Sequence, residues 1–521
     1  MKRLVVLTTA FLVLAASPAP TADAPPVDRS PYSIGGFHRK VTTSSTDAQV
    51  WFDRGLALSF GFNHEEAIRC FERAAEADPE CAMAYWGIAY ASGPNINNVV
   101  MDEAAVERAH ENTEKAAAFA AQLAPVEAAL VAALASRYAL PAPENRSELD
   151  LAWADAMREV AGTYPEDADV AAICAEAIML LRPWNHWTTE GAPAPETDEI
   201  VRVLEDALAR HPDHPALNHF YIHTMEASPN PARALPAANR LRERMPGVGH
   251  LVHMPCHIDV LLGEYATVIE ANRNAIEADR LFVEMAGAVN MYTLYRVHNY
   301  HFIVYAAMFE GQQALARETA QELVRQIPSE LLEDIPDFIE AFVPTPLHVL
   351  VRFGAWEEIL AQPEPEEELS TTRAVYHYAR ALAYATTGRI DEAAAEQEAF
   401  ARALPEIPES RYLFNNPARE VMKVAEAMIA GELAYRRGLH EEAFAHLREA
   451  VRRDDALHYD EPWGWMQPAR HSLGALLLEQ GRVAEAKTVY VEDLKRHPKN
   501  LWALHGLAEC HERLGEGPEA E

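Results

Sequence analysis

The chain has 521 residues, and its 79 acidic side chains against 45 basic ones give a formal charge of −34. That balance argues against a nucleic-acid partner, because such binding rests on Lys and Arg meeting phosphates, and it suits cationic ligands, metal ions included. Gly is scarce at 23 residues, and no long stretch alternates Val, Ile and Thr with polar residues, so helix is expected and sheet is not.

At the N-terminus, Lys2 and Arg3 precede an apolar run from Leu4 to Ala16, too short for a membrane span, and Ala22-Asp23-Ala24 has the small-x-small form of a signal-peptidase site. Residues 1–24 therefore read as a signal peptide, and the mature chain is expected in a periplasm or outside the cell. Proline from Pro18 to Pro31 argues against a helix there, and 25–40 reads as a linker. No later segment is apolar enough to span a bilayer. Five dispersed cysteines, Cys70, Cys81, Cys174, Cys256 and Cys510, are odd in number and make no disulfide scaffold; only Cys70 and Cys81 are close enough in sequence to suggest a pair.

Next comes a periodic signal. Trp51, Gly55, Ala67, Phe71, Ala74 and Pro79 follow one another at steps of four, twelve, four, three and five. Large and small residues on a first helix, then small, aromatic and small ones on a second, let two antiparallel helices approach closely, and the closing proline stops the chain. Gly474, Ala486, Tyr490 and Pro498 repeat the spacing, and Gly431, Ala443 and Ala450 fit between. Gly263 with Ala275, Gly311 with Ala316 and Gly388 with Ala393 mark further copies by their turn glycine. This pattern resembles the tetratricopeptide repeat. The phrases FNHEEAIRCFERAAEADPECAMAYWGIAY, ALNHFYIHTMEAS and GHLVHMPCHIDVLLGEY are similar to exported bacterial members of that superfamily, which implies fold and export and no particular reaction. The fold expected is an all-α solenoid of antiparallel helix pairs. Residues 41–362 read as an N-terminal array with an inserted helical pair at 95–143. The acidic stretch 363–372 reads as a connector, and 373–515 as a C-terminal array.

Histidines fall into the repeat frame. His219 and His223 precede His253 and His257 by 34 residues each, and His298 and His301 follow on a third first-helix segment. Steps of three and four return to one face of a helix, the face that lines the concave groove. Paired histidines on adjacent helices suit a metal site, and imidazole suits zinc, copper, nickel or iron without choosing among them. An open coordination position would make such a site catalytic, with Glu226 as the candidate general base. Trp86, Tyr90, Asn218, Glu226, Tyr305 and His348 complete the groove-lining set. A peptide or protein partner held in that groove is the leading functional reading, and a metalloprotein is the alternative. Gly-rich phosphate loops, a G-x-S-x-G elbow, H-E-x-x-H and C-x-x-C are all missing, so the motifs assign no catalytic residue. Cys256 is conceivable as a nucleophile beside His253 and His257, with packing after Pro255 the commoner explanation.

Overall fold

The structure is a computed structural model that describes residues 27–516. The expected signal peptide and cleavage site lie outside the described residues. Within them the chain is built of α-helices and short 3-10 turns, and the strands are Tyr412–Leu413 paired antiparallel with Asn416–Pro417. It is an all-α solenoid of antiparallel helix pairs. No described helix is long and apolar enough to cross a membrane.

The repeat spacing has a direct packing cause. Helix Thr46–Phe60 runs antiparallel to His64–Ala77, and Ala82–Ser92 follows on its far side. The Phe71 ring is clamped between two glycines. A Cβ on Gly55 would meet it at 2.7 Å, and one on Gly87 at 2.4 Å. Near the C-terminus Tyr490 is held in the same way, with a Cβ on Gly474 at 2.6 Å and on Gly506 at 2.2 Å. In the copy between, Leu447 takes the aromatic place against Gly431. One large side chain of each second helix therefore fills the space left by small residues on the first helix before it and, at Phe71 and Tyr490, on the first helix after it.

The segment 95–143 contains the helices Glu103–Ala118 and Pro125–Leu134. The acidic connector is shorter than expected, since helix Ser370–Thr386 begins inside it. One apolar cluster runs from Ala341 and Leu347 through Ile359 and Tyr378 to Cys510, and so crosses the connector. The C-terminal repeats also reach back onto earlier helices. Tyr265 Oη donates to the Pro498 carbonyl at 3.0 Å, and Trp502 Nε1 donates to the Met308 carbonyl at 2.7 Å. Gly263 sits at φ +73°, where a Cβ would meet the Pro498 carbonyl oxygen at 2.2 Å, so both its backbone and the approach of the later chain require glycine. All five cysteines are buried free thiols.

Candidate metal centre

Three helical segments and one break in a helix bring the histidines together. Helix Pro215–Met225 starts on a proline, whose missing N–H costs nothing in a first turn, and His219 and His223 share one face of it. The next first-helix segment is split into Gly249–His253 and Pro255–Leu261, because Pro255 has no N–H to continue the ladder. The split leaves His250 and His253 on one side and His257 on the other. His298 comes from helix Thr293–Phe309.

Ring nitrogens of His219, His223 and His250 lie within 4.8 Å of one another, as do those of His253, His257 and His298. A third group at that distance joins His223, Glu226 and His257. The contacts behind the rings orient them. His219 Nδ1–H donates to the Phe60 carbonyl at 2.7 Å, which leaves Nε2 as a lone pair. His253 Nδ1–H donates to Asn272 Oδ1 at 2.7 Å, and Asn272 Nδ2 in turn donates to the Val268 carbonyl at 2.8 Å. Glu226 meets two rings at once, His223 Nδ1 at 2.7 Å and His257 Nδ1 at 2.5 Å. A carboxylate, amide or carbonyl behind each of these four rings is how metal-ligating histidines are held.

The result is a set of facing nitrogens. His253 Nε2 and His257 Nε2 stand 2.7 Å apart, and His219 Nε2 and His250 Nε2 stand 3.2 Å apart. His223 Nε2 and His250 Nδ1 are buried with no hydrogen-bond partner. Two lone pairs at 2.7 Å repel unless a proton or a metal ion lies between them. Burial lowers the proton affinity of all six rings, to about 3 for His219 and about 4 for His253, so they are neutral imidazoles at neutral pH. Neutral imidazole is the metal-binding form.

Aromatic walls enclose each group. Phe62 lies 4.7, 5.8 and 5.4 Å from the His219, His223 and His250 rings. It does so with φ at +56°, a left-handed conformation that costs a non-glycine residue about 1–2 kcal/mol. Phe302 lies 4.7, 5.4 and 4.9 Å from His253, His257 and His298. A later segment packs against the cluster. Tyr459 Oη donates to Glu226 Oε2 at 3.4 Å, and Glu461 Oε1 lies 3.9 Å from His257 Nδ1. Asp460 between them accepts from the Asn415 N–H at 2.8 Å and from Asn416 Nδ2 at 2.5 Å, which pins this segment. Burial raises both Glu226 and Glu461 well above the ordinary carboxyl range, and for Glu461 the charge of Glu226 adds to it.

The profile of the family described as Tetratricopeptide repeat matches residues 48–81, the helix pair clamped on Phe71. Residues 48–81 are a tetratricopeptide repeat. Arrays of this repeat are interaction scaffolds whose stacked helices present an extended concave surface. No curated protein matches the sequence. Among solved structures, the human IFIT1 dimer with PPP-AAAA shares 12% identity at a TM-score of 0.33, over 92% of this chain and 89% of that one. The APC/C hetero-tetramer Cut9-Hcn1 shares 12% at 0.30, over 92% and 78%. Yeast Tom70 shares 10% at 0.30, over 90% and 89%. Nothing about ligand or chemistry carries over from likenesses this distant.

Of the six histidines singled out in the sequence, the structure brings together His219, His223, His253, His257 and His298. His301 points elsewhere, with its ring 5.5 Å from Phe342 and 5.4 Å from Phe414. Glu226 is at the centre of the cluster. The other groove-lining residues are not at it. Trp86 is 1% exposed and bonds the Leu130 carbonyl, and Tyr90 donates to Glu176. Asn218 donates to the Pro212 and His214 carbonyls. Tyr305 stacks on Phe309, and His348 packs edge-on to Trp465. Cys256 is fully buried and its thiol is pushed well up by that burial, so it is no ready thiolate. Sequence reasoning missed His250, although it stands three residues before His253 and so on the same helix face. It also missed Asn272, Phe62, Phe302 and the Tyr459–Glu461 segment, which only long-range packing delivers.

Proposed function

We propose that this repeat protein is a metalloprotein that holds a transition-metal ion at His253, His257 and His298. The observation that carries the reading is the 2.7 Å approach of His253 Nε2 to His257 Nε2, with both Nδ1 positions engaged by Asn272 and Glu226. Three imidazoles suit zinc, copper, nickel or iron, and disfavour magnesium or calcium, which take oxygen ligands. His298 is the least buried of the three. Export, implied by residues 1–24, belongs to the same reading.

A peptide or protein held in the concave groove has less support at this place. The face that presents the histidines is covered by Tyr459–Glu461, and His219, His223, His250, His253 and His257 are at most 3% exposed.

Elemental mass spectrometry of the purified protein tests the proposal, with a His253→Ala/His257→Ala variant alongside. Near-stoichiometric metal that the variant lacks is the expected result. No metal in either protein, including after incubation with zinc, copper and iron salts, sinks it.

A further inference from the structure

We infer that the cluster holds two metal ions, one in the His219–His223–His250 group and one in the His253–His257–His298 group, with Glu226 as a shared positioning carboxylate; this rests on the metal reading above. The two groups share no residue, and each closes to within 4.8 Å by itself. They are built alike. Each contains two rings whose Nδ1 is engaged by a fixed partner, so that Nε2 faces inward. In the first group these are His219 on the Phe60 carbonyl and His223 on Glu226 Oε1. In the second they are His253 on Asn272 and His257 on Glu226 Oε2. Each group is also walled by its own phenyl ring, Phe62 for the first and Phe302 for the second.

Glu226 lies between the two. One carboxylate oxygen fixes a ligand of the first ion and the other fixes a ligand of the second. The first group is not explained as ordinary core packing. His223 Nε2 and His250 Nδ1 are buried there without partners, and a buried polar atom left unpaired is destabilising. A metal ion ligated through His223 Nε2 gives one of these atoms its partner directly. A competing arrangement puts a single ion between His223 Nδ1, Glu226 and His257 Nδ1, the third group. It consumes the Nδ1 nitrogens and makes Glu226 a ligand, and it leaves the facing pairs His219–His250 and His253–His257 without an ion between them.

Counting metal per chain decides among these. Purified full-length protein is loaded separately with zinc and copper, cleared of free metal, and quantified by elemental mass spectrometry against protein concentration. Wild type is expected to hold two ions per chain. His219→Ala/His250→Ala and His253→Ala/His298→Ala are each expected to hold one, with thermal melts by circular dichroism showing that they fold. One ion in wild type, unchanged in His219→Ala/His250→Ala, overturns the ion in the His219–His223–His250 group and leaves the one in the His253–His257–His298 group standing. One ion in wild type, lost on Glu226→Ala and retained in both double variants, overturns the pair in favour of the Glu226-ligated arrangement. No ion at all removes the metal reading itself. Should a double variant fail to fold, the wild-type count still decides between two ions and one.

Discussion

His253 Nε2 and His257 Nε2 face each other at 2.7 Å across the helix break at Pro255, with neither ring free to turn away. Asn272 holds the first ring from behind, and that contact is separable from ligation itself. Asn272→Leu keeps the volume and removes the acceptor for His253 Nδ1–H. It is expected to weaken metal binding about 10–100-fold, as loss of such an orienting partner does. Competition with a chromophoric chelator measures it, and an unchanged affinity would show that His253 needs no orientation.

Asp460 anchors the covering segment without touching a histidine. In Asp460→Ala the Asn415 N–H loses its acceptor and Asn416 Nδ2 keeps only the His458 carbonyl, which loosens Tyr459–Glu461. Metal content is expected to stay at the wild-type value while release to an excess of chelator speeds up several-fold. Stopped-flow absorbance follows the release. Equal rates would mean that the segment does not gate the centre.

The aromatic clamp of the repeat predicts a stability change remote from the histidines. Phe71→Ala empties the space between Gly55 and Gly87, at about 3–5 kcal/mol for a buried phenylalanine. Gly87→Ala has the opposite fault. Its Cβ meets the ring at 2.4 Å, and overpacking of this kind costs about 1–3 kcal/mol. Urea unfolding of both variants checks the order, and a neutral Gly87→Ala would show that Phe71 has room to shift.

Asp454 supplies a pH-dependent test. Its carboxyl accepts from the Ala469 N–H at 3.0 Å, and burial raises it to about 6 from an ordinary 3.8. Because the folded form holds its proton more tightly than the unfolded form, the stabilisation from that proton is complete below pH 3.8. It is lost as pH rises through about 6. Asp454→Asn keeps an oxygen for Ala469 and cannot ionise. It is expected to be more stable than wild type at pH 8, by on the order of 1 kcal/mol for this partly exposed side chain, and to show no advantage at pH 4. Melting temperatures at the two pH values measure it, and a constant difference would remove Asp454 as the cause.

Much of this protein was determined by local sequence. Helix content follows from composition, and the steps Gly55–Ala67–Phe71–Ala74–Pro79 encode a helix pair because small and aromatic residues at those places leave only one close packing. The 34-residue spacing of His219 with His253, and of His223 with His257, put four of the six clustered histidines on equivalent helix faces. Which rings meet was decided only in three dimensions. His298 and His301 are one helical turn apart, and the packing of Phe302 against His253 and His257 turns His298 inward and leaves His301 to Phe342 and Phe414. Each nitrogen's direction depends on an acceptor far along the chain, such as the Phe60 carbonyl for His219, 159 residues away. Tyr459 reaches Glu226 across 233 residues. Periodicity records which face a side chain occupies. The offset between stacked helices, and the contacts of the C-terminal repeats with earlier helices, arise from non-local packing that no short pattern contains.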